Sequence, residues 1–167
     1  MTHYLFTIIL LAMTPVALAA EAHVHGQAHL EVAVDGGTLT LRLESPADSL
    51  VGFEHSPRTD KERQAVAAMK QRLDAPDKLF QPTPAAQCQV TGVKLESTLF
   101  EAGQEDAVHG DLDAEFVFHC AQPARLQNIE VKLFAPFPGI KQLSAELAGP
   151  KGQKTMQLTP TQRNLSW

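Results

Sequence analysis

Leu30, Val32 and Val34 alternate with Glu31 and Ala33; Asp35-Gly36-Gly37 follows; then Leu39, Leu41 and Leu43 alternate with Thr40, Arg42 and Glu44. Apolar residues at a period of two match the pleat of a strand, and a glycine-rich break between two such runs turns the chain back on itself. The segment predicts a β-hairpin with one apolar and one polar face. Such a hairpin must bury its apolar side under another layer.

The covering layer is legible further on. Ser45-Pro46-Ala47 ends the hairpin, and an irregular, apolar-rich connection runs from Leu50 to Pro57. Thr59 with Glu62 three residues later is a capping box, and Val66, Met69 and Leu73 make an apolar stripe at helical spacing. Pro76 ends this helix, with Leu79-Phe80 in one further turn. Cys88 to Leu95, Leu112 to Cys120, Ile129 to Leu133, Leu143 to Leu147 and Thr155 to Leu158 read as further strands. The turn segments Pro136-Phe137-Pro138-Gly139 and Gly149-Pro150-Lys151-Gly152 make the connections short, so pairing should be mostly antiparallel. The expected class is α+β: a mostly antiparallel β-sheet or sandwich with one main α-helix packed on it.

The N-terminus suggests the compartment. Leu5 to Ala12 is apolar but too short to span a bilayer, and Ala17-Leu18-Ala19 offers small residues where a signal peptidase reads them. No Lys or Arg precedes the apolar run, which is atypical; an uncleaved anchor is the alternative, disfavoured by Thr14, Pro15 and the cleavage site. The reading is a signal peptide over residues 1–20 and a single domain over 21–167. Cys88 and Cys120 are an even count, as expected of an exported protein. Bridged, they close a loop of about 33 residues, which is about 3–4 kcal/mol in the chain-entropy picture. A thiolate metal site is the rival reading, but no Cys-x-x-Cys spacing supports it. The formal charge of −5, with no basic cluster, gives no reason to expect nucleic-acid binding; an acidic surface favours cations.

Chemistry-bearing residues fall in three places. In His23-Val24-His25-Gly26-Gln27-Ala28-His29 an extended chain would put His23, His25, Gln27, His29 and Glu31 on one face, a transition-metal-binding edge of imidazoles. The same pattern also fits a solvated tail. On the strand before Cys120, His109, Asp111, Asp113, Glu115, Val117 and His119 share odd parity, aiming imidazoles and carboxylates at one face. A polar outer face looks the same, and His109-Gly110-Asp111 is the part that suits Zn²⁺ best. His119 lies about 30 Å of strand from His109, so both cannot ligate one ion unless the strand folds back. His55, beside Glu54 and between Phe53 and Pro57, is read as a packing group first and a ligand second. No Gly-x-Ser-x-Gly, no His-Glu-x-x-His, no phosphate-cradling glycine loop and no cysteine with a matching base occurs, so no enzyme is expected.

Taken in order, His23-Val24-His25-Gly26-Gln27-Ala28-His29-Leu30, Ser45-Pro46-Ala47, Gly52-Phe53-Glu54-His55, Leu79-Phe80, Cys88, His109-Gly110-Asp111, Phe118-His119-Cys120, Leu133-Phe134 and Phe137-Pro138 resemble the zinc-regulated periplasmic zinc-binding proteins of Gram-negative bacteria, the ZrgA-like family. The likeness covers nearly the whole chain after the signal. It implies a periplasmic protein that binds Zn²⁺ and assists high-affinity uptake, holding or passing the ion to the solute-binding protein of an ABC importer. By the same resemblance His23, His25, His29, His55 and His109 fall on the family's histidine positions, and Cys88 and Cys120 on its cysteine pair. Asp111 completes the expected metal ligands.

One departure matters. Many relatives resemble one another in a long His/Asp/Glu-rich insert before the His-x-Asp segment, whereas Glu96 to Val108 has acids and no histidine. That puts multi-ion storage in doubt and points to a compact site, in which His23, His25 and His29 are expected to meet His109 or Asp111 across strands. Two other functions compete. A copper protein would need sulfur donors for Cu(I), and only Met156 is suitably placed, although Cu(II) at a His-x-His edge fits. A metal-free interaction module braced by its disulfide is the other; its stability would be indifferent to chelator.

Overall fold

The computed structural model describes residues 24–100 and 110–166. The predicted hairpin forms β1 (Gln27–Asp35) and β2 (Thr38–Pro46), paired from His29↔Glu44 to Asp35↔Thr38 around the two-residue turn Gly36-Gly37. A five-residue helix α1 (Ala47–Val51) follows directly, where the sequence suggested irregular chain. Helix α2 (Asp60–Leu73) starts at the expected capping box: the Glu62 amide donates to Thr59 Oγ1, and the Thr59 amide donates to the Glu62 carboxylate. Its buried residues are the expected stripe, Val66, Met69 and Leu73.

After α2, Pro76–Lys78 makes one 3₁₀ turn, and Phe80 opens a short strand, β3 (Phe80–Pro82), rather than continuing a helix. Then come β4 (Cys88–Ser97), β5 (Asp111–Cys120), β6 (Asn128–Val131), β7 (Gln142–Gly149), β8 (Gly152–Leu158) and β9 (Asn164–Ser166). A six-stranded sheet has the order β4-β5-β2-β1-β7-β8, and a three-stranded sheet the order β3-β6-β9. Among the described residues every strand pairing is antiparallel except β1 with β7, which is parallel. The α+β class holds.

The core lies on the inner face of the large sheet. Leu30 and Val32, Leu39, Leu41 and Leu43, Phe116 and Phe118, and Leu143 and Leu147 are buried there in one cluster with the α2 stripe and with Phe80, Ile129 and Val131 of the small sheet. Phe80 and Phe116 join the two sheets ring to ring, 5.3 Å between centroids. Such tilted aromatic pairs add to area burial by aligning ring edges with ring faces. Cys88 and Cys120 stand opposite each other on β4 and β5 and form the disulfide. Alternation leaves His29, Glu31, Arg42, Glu44, Asp113 and Glu115 on the outer face, as their parity predicts. No helix among the described residues is long and apolar enough to cross a membrane.

Candidate metal centre

His25 does not sit on a strand face. Gly26 has φ +82°, a left-handed conformation that glycine adopts without the Cβ clash, and the Gln27 amide donates to the Val24 carbonyl at 3.0 Å to close a turn. β1 begins only after this turn, so the alternation of His25 with His29 does not carry through. The turn is fastened from behind, where the Lys141 and Gln142 amides both donate to the Gly26 carbonyl, at 2.8 and 3.0 Å. It delivers the His25 ring to α1 and to the loop that follows.

There the ring lies between two carboxylates. Nδ1 is 3.2 Å from Asp48 Oδ2, and Nε2 is 3.1 Å from Glu54 Oε1. The acids are largely covered, their side chains 24 % and 19 % exposed, whereas His25 is 68 % exposed. Partly buried acids held near an exposed imidazole make a site with a covered floor and an accessible rim. Asp48 is placed by α1, which stops where the Gly52 amide donates to the Asp48 carbonyl. Glu54 follows in the next loop, and Gly110 lies so close to its backbone that a Cβ at 110 would fall 2.7 Å from the Glu54 carbonyl oxygen.

Chemically, the three side chains can offer one imidazole nitrogen and two carboxylate oxygens, all within 4.8 Å of one another. Zn²⁺ takes such ligands at about 2.0–2.2 Å, some 3.3–3.6 Å apart in a tetrahedron. Since Asp48 and Glu54 meet different ring nitrogens and only one nitrogen can face an ion, the ring or one carboxylate would shift for all three to close on it. Carboxylates only accept hydrogen bonds, so both contacts are satisfied when both ring nitrogens carry hydrogen. A divalent cation would place positive charge between the same two acids. Among the described residues this is the one group of three or more His, Cys, Asp or Glu side chains with that spacing.

A model of the ZrgA family of zinc uptake proteins matches residues 22–167. The chain belongs to that family. No curated protein matches it individually. In this ZrgA-family protein the three side chains would leave a fourth position open on a tetrahedral ion.

The other described residues read from the sequence lie elsewhere. His29 stands on the outer sheet face opposite Glu44 and Ser144. Asp111 joins it in lining an open depression of about 760 Å³, together with Glu31, Glu44, Asp113 and Glu146. This is far wider than the cage of a single ion. On the same face the Glu115 carboxylate accepts from Arg42 at 2.8 Å and raises the guanidinium pKa, and Glu96 does the same for Lys94. His55 stacks on Phe53 at 5.2 Å, donates from Nδ1 to the Ser56 carbonyl at 2.9 Å, and turns Nε2 toward Glu62 at 4.0 Å. That fixes the loop to the start of α2. His119 is exposed at the far end of β5, opposite Thr38. His23 and His109 lie outside the described residues. Cys88 and Cys120 are spent in the disulfide.

Sequence reasoning missed Asp48, and it noted Glu54 only as a neighbour of His55. The available signal was weak: an acid just after a strand-ending proline, in a segment short enough to be read as loop.

Proposed function

We propose that this zinc uptake protein is an exported, periplasmic carrier that binds Zn²⁺ directly through His25, Asp48 and Glu54 and passes it to the solute-binding protein of an ABC importer. The observation that carries the reading is the His25 ring held between two largely covered carboxylates, in a chain whose family is defined by zinc uptake. The donor set favours zinc over Cu(I), since no free cysteine is present among the described residues and Met156 is half-buried. Exposure of His25 suits a carrier, because an ion bound at the rim can be reached by a second protein's ligands.

Calorimetric zinc titration of the metal-stripped protein tests the first half. Binding should weaken from about pH 7 to about pH 5.5, because protons compete with metal for imidazole. His25→Ala and Glu54→Gln should each cost on the order of a hundredfold in affinity, at or beyond the upper end of what losing a supporting group costs. Alanine variants of His23, His29, His55, His109 and Asp111 in the same titration show which of them supplies a further ligand, and Cu(II) and Ni(II) run alongside set the selectivity. Unchanged zinc affinity in His25→Ala would remove the site. For the second half, zinc-loaded protein is mixed with the metal-free solute-binding protein. A transfer rate that rises with acceptor concentration supports direct handover, and one fixed at the spontaneous release rate rules it out.

A further inference from the structure

Ser49 is buried, 3 % exposed, on a helix of five residues, and its hydroxyl both accepts and donates a hydrogen bond. It accepts from the Gly26 amide at 2.9 Å and donates to Asp48 Oδ1 at 3.1 Å. The other oxygen of the same carboxylate, Oδ2, faces His25 Nδ1. One hydroxyl thus ties the turn that carries the imidazole to the carboxylate that meets it. It also divides the work of the Asp48 oxygens, one anchored and one presented.

We infer that Ser49 is a positioning residue for the metal centre: its hydroxyl fixes the Asp48 carboxylate with Oδ2 forward and locks the His25 turn at the distance an ion requires. The inference rests on the metal-binding reading of His25, Asp48 and Glu54. A carboxylate hydrogen-bonded through one oxygen loses the freedom to rotate away or to swing to a bidentate pose, so less ordering remains to be done when zinc arrives. Partners of this kind typically set metal affinity by about 10–100-fold without touching the ion.

The test is zinc titration of the metal-stripped full chain as wild type, Ser49→Ala, Ser49→Thr and His25→Ala, with Co²⁺ absorption spectra and metal-free melting curves for each. Ser49→Ala should lose about tenfold in zinc affinity and change the Co²⁺ ligand-field bands, and Ser49→Thr, which restores the hydroxyl, should recover both. Wild-type affinity and spectrum in Ser49→Ala, with His25→Ala impaired, would overturn the inference and leave the metal centre standing. Loss in Ser49→Ala that Thr does not recover, matched by a lowered metal-free melting temperature, would show a folding role and also overturn it. Unchanged binding in His25→Ala would take down the metal-centre reading and this inference together.

Discussion

Gly139 lies against Ser49 so closely that a Cβ at position 139 would fall 2.2 Å from the Ser49 carbonyl oxygen and 3.0 Å from its Cα. The obstacle is backbone, which cannot swing aside as a side chain can. The contact seats α1 against the chain entering β7, next to Lys141 and Gln142, which hold the His25 turn.

Gly139→Ala should therefore displace α1. Overpacking of this kind costs about 1–3 kcal/mol, and the shift carries Asp48 away from His25, so zinc affinity should fall along with the melting temperature. Thermal unfolding and zinc titration of the same variant check it. Normal zinc affinity in a destabilised protein would mean that the site does not depend on this contact.

The Glu62 carboxylate accepts from the Thr59 and Arg58 backbone amides, and these hydrogen bonds hold its pKa below the ordinary 4.5. Because the folded-state value is lowered, its contribution to stability is complete above that ordinary value and is lost as pH falls through the lowered one. Glu62→Gln has no charge to lose. Wild type should be the more stable in neutral solution, and the two should converge as acid is added below about pH 4.5. Urea midpoints across that range are the measurement, and a gap that stays constant with pH would be the contrary result.

Breaking the Cys88–Cys120 disulfide removes a crosslink spanning a sequence separation of 32. The double variant Cys88→Ser/Cys120→Ser should lose about 3–4 kcal/mol of stability, chiefly by freeing the unfolded chain. Zinc affinity should be retained under conditions where the variant remains folded, since neither cysteine adjoins His25. Denaturant unfolding gives the first quantity and calorimetry the second.

Phe116 is fully buried and meets Phe80 across the two sheets. Phe116→Ala should cost about 3–5 kcal/mol through lost burial and the cavity left behind. Val93→Ala, on the partly exposed edge strand β4, should cost less than half of that. Equal losses would indicate that the sheets are not held together at the Phe80–Phe116 contact.

Periodicity and local chemistry were enough to read much of this molecule. The β1–β2 hairpin, the α2 capping box with its Val66, Met69 and Leu73 stripe, and the two faces of β5 depend on neighbours a few residues apart, and short-range sterics and hydrogen bonding decide them. The disulfide followed from two cysteines in a chain read as exported. The metal centre was only partly legible. His25 was a candidate, but Gly26 turned it off the strand face on which parity had placed it, and its partners Asp48 and Glu54 carry no local signature. Their meeting depends on the parallel pairing of β1 with β7, on Gly139 against Ser49 and on Gly110 against Glu54. Those contacts join segments far apart in the chain. Their free energy comes from burying surfaces that no single stretch of sequence displays, so which histidine met which acids was settled only when the chain had packed.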